Sequence, residues 1–218
     1  MAYETYSELL ELVRSWSNRR DITDDQFYNF IFFAGNFANQ VLRVPAMENT
    51  EILDVSVDGQ VVIPFDFLEL RSLTAAFDAQ DSVPLERVAW DQYINYVNDP
   101  NPDPSDTQAR YFSRQGSFWF ITPVPEVGTQ VTCHYYRSLP DINVDEPTNW
   151  LTMLSPMTYL FGSLHYLYLY LMDDDRAEYW LNKFTAELTR IQELASMSEY
   201  KGTSLTVRAR VPSAQGEI

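Results

Sequence analysis

The spacing of apolar residues changes twice along this chain of 218 residues, and that change limits the folds it can adopt. Up to about residue 48, apolar side chains recur every three or four positions, as in amphipathic helices. From about residue 51 they alternate, as in half-buried strands, and helical spacing returns near residue 155. This order predicts an α+β fold, in which a bundle of about four helices holds an antiparallel β region between helices two and three.

The composition is that of a chain with a packed core. Hydrophobic residues make up 45% of the sequence and aromatic residues 15%, which is far from the composition of a disordered protein. The two changes in spacing then divide the chain. We predict a helical bundle from residues 1–48 and 149–200, an inserted β domain from residues 49–148 and an extended C-terminal arm from residues 201–218.

Two capping boxes place the starts of the first two helices. Thr5 precedes Glu8 by three positions and Thr23 precedes Gln26 by three, so each pair can satisfy free N–H groups at a helix start. The first helix is expected to end near Ser17. The second is expected to end before Pro45, because proline cannot continue a helix.

Turn residues divide the β region into short strands. Asp58-Gly59 lies between two alternating segments and predicts a β-hairpin between them. A second strand pair is expected at residues 70–77 and 83–88, followed by a short helix at 91–97. Three further antiparallel strands are predicted to follow one another at residues 108–113, 117–121 and 130–137.

The third long helix, predicted for residues 156–172, is apolar on all sides and needs cover on all sides. Its tyrosines Tyr159, Tyr166 and Tyr170 recur on one stripe, and tyrosine is enriched in protein interfaces. We therefore expect this stripe to contact another copy of the chain. The alternative is an ordinary buried helix that the β region covers. A membrane span is not expected, because the helix is short and polar residues interrupt it.

The rest of the sequence indicates a soluble, non-enzymatic protein made in a cytoplasm. The net charge of −16 argues against nucleic-acid binding by the body of the chain. No signal peptide is expected, and His134, His165 and the single Cys133 are expected to be structural. No catalytic motif, cofactor motif or metal-ligand spacing is present. The triple aspartate 173–175 is better explained as a helix start than as a cation site.

Three segments in their joint order resemble the adaptor, or head-to-tail connector, proteins of tailed bacteriophages. They are "IPFDFLELRSL" at 63–73, "RYFSRQGSFWFITPVPEVGTQVTCHYYRSLP" at 110–140 and "TNWLTMLSPMTYLFGSLHYLYLYLMDDDRAEYW" at 148–180. The resemblance covers roughly residues 3–200. It implies a structural protein of the virion neck, assembled in the host cytoplasm as a ring, usually of twelve copies, between the portal and the tail or nozzle proteins.

The resemblance also implies roles for particular residues. The C-terminal arm would reach the portal and add a strand to it, through Thr203, Leu205, Val207, Arg208 and Arg210. A frayed terminus is the alternative for this segment. Helices would line a channel through which DNA passes without specific binding, since acidic walls repel phosphates. The candidates for that lining are Asp173, Asp174, Asp175, Glu178 and Glu187.

Two other functions fit parts of the sequence. Another neck component, such as a stopper or completion protein, would share the ring and would contact the tail instead of the portal. A cytoplasmic enzyme or binding module would be a monomer or dimer with a polar pocket. The scarcity of catalytic groups argues against this last class.

Overall fold

The computed structural model describes residues 4–78, 81–98, 109–125 and 128–200 and has the α+β class that the sequence predicts. Helices α1 (Tyr6–Ser17) and α2 (Asp24–Val41) open the chain. Both predicted capping boxes are confirmed: the Glu8 carboxylate accepts from the Thr5 N–H at 3.2 Å, and Gln26 accepts from the Thr23 N–H at 2.9 Å.

The remaining helices are α3 (Trp90–Val97), α4 (Trp150–Leu154), α5 (Pro156–Tyr170) and α6 (Asp174–Tyr200). Helix α4 was not predicted, because five residues carry too little periodicity to be recognised. Helix α5 ends two residues earlier than expected. It ends there because Met172 adopts the left-handed conformation, with φ of 57°, and the Asp173 N–H donates to the Tyr168 carbonyl at 3.0 Å.

The described residues contain eight strands, which form two four-stranded sheets. The first sheet is antiparallel and has the order β1-β8-β3-β4, from strands β1 (Glu48–Asp54), β3 (Phe67–Asp78), β4 (Asp81–Pro84) and β8 (Gln130–Arg137). The second has the order β2-β7-β6-β5, from β2 (Gln60–Val62), β5 (Glu86–Arg87), β6 (Tyr111–Gln115) and β7 (Phe118–Thr122). Of these eight described strands, only β5 runs parallel to its neighbour, β6.

Three strand pairings differ from the prediction. The predicted strand at 83–88 is divided between β4, which pairs with β3, and β5, which pairs with β6 in the other sheet. The turn at Asp58-Gly59 forms, with the Gly59 N–H donating to the Ser56 carbonyl at 3.0 Å, but β1 and β2 do not pair across it. Strand β1 pairs with β8 and β2 with β7, so this turn carries the chain from one sheet to the other. Likewise β8 leaves β6 and β7 and lies between β1 and β3. Local turn chemistry predicts a turn, whereas long-range packing selects the partner.

The two sheets share one hydrophobic core. Strand β8 alternates, with Val131, Cys133 and Tyr135 buried against residues of the second sheet. Trp119 is buried between the sheets, and its ring meets that of Phe67 edge-on at 5.3 Å. Cys133 is the expected buried thiol, and burial, with a smaller effect of Glu51, raises its pKa to about 12.

A second core fills the helical bundle, and polar contacts at the end of α2 join it to the sheets. The Asn39 side chain accepts from the Leu139 N–H at 2.6 Å, and the Arg43 guanidinium donates to Glu69 at 2.8 Å. The Tyr135 hydroxyl donates to Asp66 at 2.8 Å, and burial, together with this bond, raises the pKa of Tyr135. The Asn39 and Arg43 contacts hold the β region beside the end of α2.

The left-handed residue Met172 gives a test of the boundary between α5 and α6. Its side chain is 87% exposed, so replacement removes little packing, whereas a side chain with positive φ costs about 1 kcal/mol. We expect Met172→Gly to raise the free energy of unfolding in urea by about 0.5–1 kcal/mol. Met172→Ala is the matched control, because it keeps the strain and should give no such gain. A less stable glycine variant would contradict this assignment.

Candidate subunit interface

Helix α5 lies in the middle of the bundle, against α1, α2 and α6. The closest approach is at Gly162, where an added Cβ would lie 2.6 Å from the Cβ of Ala34 and 3.0 Å from the ring of Phe184. His165 is the structural histidine that we expected: its Nδ1 donates to the Ala177 carbonyl at 2.9 Å and ties α5 to α6. The other helices, rather than the β region, therefore supply most of the cover that α5 needs.

Tyr159 does not lie with the other two tyrosines of the predicted stripe. Its side chain is only 2% exposed, and its hydroxyl accepts from the Asn149 amide at 2.8 Å. Burial raises the pKa of Tyr159. The expectation of a subunit contact is corrected for this residue, since a side chain inside the bundle presents no surface to a second copy.

Tyr166 and Tyr170 belong to a row of aromatic side chains at the surface of α2 and α5, which we call the aromatic surface. It consists of Tyr28, Phe32, Phe33, Tyr166 and Tyr170. The ring centroids of Phe33 and Tyr166 are 5.5 Å apart, and the Tyr170 hydroxyl accepts from the Gln26 amide at 3.0 Å. Phe33 is 45% exposed and Tyr170 54%. Large apolar rings held at a surface in this way are typical of protein contact sites.

A second group of aromatic residues lies where α1 meets α6, and we call it the tryptophan surface. It consists of Trp16, Tyr179 and Trp180, with Trp16 48% and Tyr179 54% exposed. The rings of Trp16 and Trp180 meet edge-on at 6.0 Å. The sequence analysis missed this surface, because Trp16 and Trp180 are 164 positions apart and no local pattern joins them.

The acidic candidates for a channel lining fall into two groups. Asp174, Asp175 and Glu178 are exposed in the first two turns of α6. Asp173 precedes the helix, where its carboxylate accepts from the Arg176 N–H at 3.2 Å and pairs with the Arg176 guanidinium at 3.3 Å. The interpretation of these aspartates as a helix start fits this geometry.

Glu187 stands apart from the other acidic candidates. It accepts from the Ser155 hydroxyl at 2.6 Å and from Arg190 Nε at 2.9 Å, and its side chain is only 16% exposed. Arg190, with a smaller contribution from Ser155, lowers the pKa of Glu187. Its expected role is corrected: this carboxylate holds α6 against the start of α5 and is not a free charge beside Asp174 and Glu178.

The predicted portal-binding residues lie outside the described residues, all of them in 201–218: Thr203, Leu205, Val207, Arg208 and Arg210. Within the described part of the chain, no group of three or more histidine, cysteine or acidic side chains could hold a metal ion. In the same residues, no helix has the length and apolar character needed to cross a membrane.

The described helices thus expose large apolar rings in two places, which is typical of protein contact sites. Comparison with family models identifies the class, a head-to-tail adaptor of tailed bacteriophages. The chain belongs to the SU10 adaptor protein family, whose model matches residues 4–210. It is therefore an adaptor of the virion neck, where it interacts with head and tail proteins. No curated protein sequence matches the chain.

The close contact at Gly162 predicts a strong response to a single methyl group. We expect Gly162→Ala to lower the free energy of unfolding by about 1–3 kcal/mol, because Ala34 and Phe184 leave no room for a Cβ. The neighbouring Ser163→Ala is the matched control. The buried Ser163 hydroxyl has no hydrogen-bond partner among the described residues, so its loss should be neutral or stabilising. Urea unfolding measures both, and equal effects would contradict this packing.

The contacts of Glu187 predict a pH dependence of stability. Because the pKa is lower in the folded state than its ordinary 4.5, the stabilisation is complete above that pH and is lost as the pH falls through the folded value. Glu187→Gln should cost about 1 kcal/mol at neutral pH, and the difference from the wild type should shrink below about pH 4.5. Glu178→Gln, at an exposed position of the same helix, is the control. If the difference in unfolding free energy between Glu187→Gln and the wild type stays constant down to pH 3, the stabilising role of the Glu187 carboxylate is contradicted.

Proposed function

We propose that copies of this adaptor form a ring between the portal and the tail, in which the aromatic surface of one copy contacts the tryptophan surface of the next. The observation that carries the proposal is the presence of two different exposed aromatic surfaces on one chain of an adaptor family. A contact between two unlike surfaces repeats from copy to copy and closes into a ring when the rotation allows it.

The directions of the helices support a ring. Phe30 of α2 meets Tyr170 at the end of α5, while Ala34 lies at Gly162, so α2 runs antiparallel to α5. Helix α6 is also antiparallel to α5, since Ala177 lies at His165 and Glu187 at Ser155. Helices α2 and α6 therefore run in the same direction. Rotation about an axis parallel to both helices would place α2 of one copy beside α6 of the next, at a similar position along that axis.

Charge supports the passage of DNA through such a ring. The chain has 31 acidic and 15 basic residues, and Asp174, Asp175 and Glu178 add exposed negative charge at the start of α6. If these residues face the lumen, they repel phosphates and leave the DNA free to slide. Residues 203–218 would bind the portal, in keeping with the basic Arg208 and Arg210 of that segment.

The aromatic surface can be tested in a mixture of the adaptor with the portal encoded in the same genome. We expect Phe33→Glu to reduce binding to the portal strongly, because a charge in the contact prevents copies from packing side by side. Val57→Glu is the matched control at an apolar position that is 71% exposed and outside both surfaces. Co-sedimentation with the portal and urea unfolding are measured together. A folded Phe33→Glu that binds as the wild type does would contradict the proposed contact.

The arm is tested by deletion of residues 203–218. We expect the shortened chain to keep the wild-type unfolding transition and to lose co-sedimentation with the portal. A control chain in which Arg208 and Arg210 are replaced by lysine keeps the charge and should still bind. If the deletion leaves portal binding intact, the arm is not the portal contact, and a position elsewhere in the neck becomes the better assignment.

A further inference from the structure

Phe65 is the most exposed large apolar residue in the described part of the chain, at 103% relative exposure. It lies in a turn that hydrogen bonds hold on both sides. The Phe67 N–H donates to the Pro64 carbonyl at 3.2 Å, and the Ser138 N–H donates to the Asp66 carbonyl at 2.7 Å. The Asp66 carboxylate also accepts from the Tyr135 hydroxyl. A fixed backbone therefore presents a phenyl ring that no described residue covers.

The chain also carries an apolar groove of about 320 Å³ at the far end of α6. Its lining comes from the segment before β1, from α4 and from α6: Val44, Pro45, Ala46, Trp150, Leu154, Arg190, Ile191, Leu194 and Ala195. A cavity of about 150 Å³ accepts benzene, so this groove has room for a phenyl ring and part of the turn that carries it. Leu154 and Leu194 are 60% and 51% exposed at its edge.

We propose that Phe65 of one copy inserts into this groove of the next copy. The inference deepens the proposed function and rests on it, since it names a contact that holds neighbouring copies of the ring. Like the contact between the two aromatic surfaces, it joins unlike parts of one chain and is compatible with a closed ring. An aromatic side chain in a fitted pocket is the usual anchor of a protein interface.

The residues of the two proposed contacts occur in the same order along α2 of one copy and along α6 of the next. On one face, Phe33 of α2 belongs to the aromatic surface, and Asn36 and Asn39, further along α2, line the same hollow as Phe65. On the other face, Tyr179 comes first along α6, and Leu194 in the groove follows 15 residues later. Because α2 and α6 run in the same direction, the two pairs follow one another in the same order along both helices.

Charge favours a second copy over the C-terminal arm as the occupant of the groove. The hollow beside Phe65 is lined by three acidic side chains, Asp66, Asp141 and Glu146, and by one basic side chain, Arg137. The charged residue of the groove is Arg190, which is 53% exposed and pairs with Glu187. The turn that carries Phe65 therefore has the charge sign that complements Arg190. The arm, residues 201–218, carries Lys201, Arg208 and Arg210 against one acidic residue, Glu217, so its net charge has the sign that Arg190 repels.

The direct test places the photoreactive p-benzoylphenylalanine at position 65, which keeps an aromatic side chain there. The full-length protein is mixed with its portal, irradiated and mapped by mass spectrometry of the cross-linked peptides. We expect cross-links between two copies, from position 65 to residues 150–154 or 190–195. Rings with cross-links only to other residues, to the portal or to residues 203–218 would overturn the inference and leave the proposed ring standing.

A variant test measures how much the contact contributes. We expect Phe65→Ala, and separately Leu194→Glu, to raise at least about tenfold the adaptor concentration at which half of the portals carry a ring. Val57→Ala is the exposed apolar control and should change it by less than about twofold. Rings that form equally well with Phe65→Ala would overturn the inference alone. If the wild type forms no ring on the portal or in solution, the proposed function and the inference both fail.

Discussion

The fold depends on the requirement that α5 be covered on every side. Gly162 lets Ala34 of α2 and Phe184 of α6 approach the α5 backbone, and no other residue at that position would allow both contacts. The hydrogen bond of His165 and the contact of Ser155 with Glu187 then fix α6 along the full length of α5. Apolar rings of α1, α2 and α6, together with Tyr166 and Tyr170 toward the end of α5, remain at the surface of the bundle. Those rings form the two surfaces that the proposed ring uses.

Helix starts, helix faces and the β character of the middle region could be read from the sequence, because caps and periodicity are local. The boxes at Thr5 and Thr23, the proline start of α5 and the buried Cys133 are examples. The partners of the strands could not be predicted as well as the strands themselves. Asp58-Gly59 indicates a turn, but the partners of β1 and β2 depend on which faces meet across the sandwich core, and those contacts are distant in sequence.

The candidate interface was predictable only in part, for a related reason. Helical spacing puts Tyr159, Tyr166 and Tyr170 near one stripe, but the neighbouring helices decide how deep each tyrosine lies. Tyr159 is inside because Gly35 of α2 leaves space for its ring and Asn149 satisfies its hydroxyl. Tyr170, near the end of the helix, remains exposed. The role of Phe65 could not be predicted, because the sequence does not distinguish its exposed ring from the packed ring of Phe67.

We propose that this adaptor forms a ring whose copies pack α2 against α6. Electron microscopy of the purified protein mixed with its own portal tests it most directly. We expect a second ring stacked on the portal, with α2 of each copy beside α6 of the next. A well-folded protein that leaves the portal bare, or a ring in which the aromatic surface faces solvent, would contradict it.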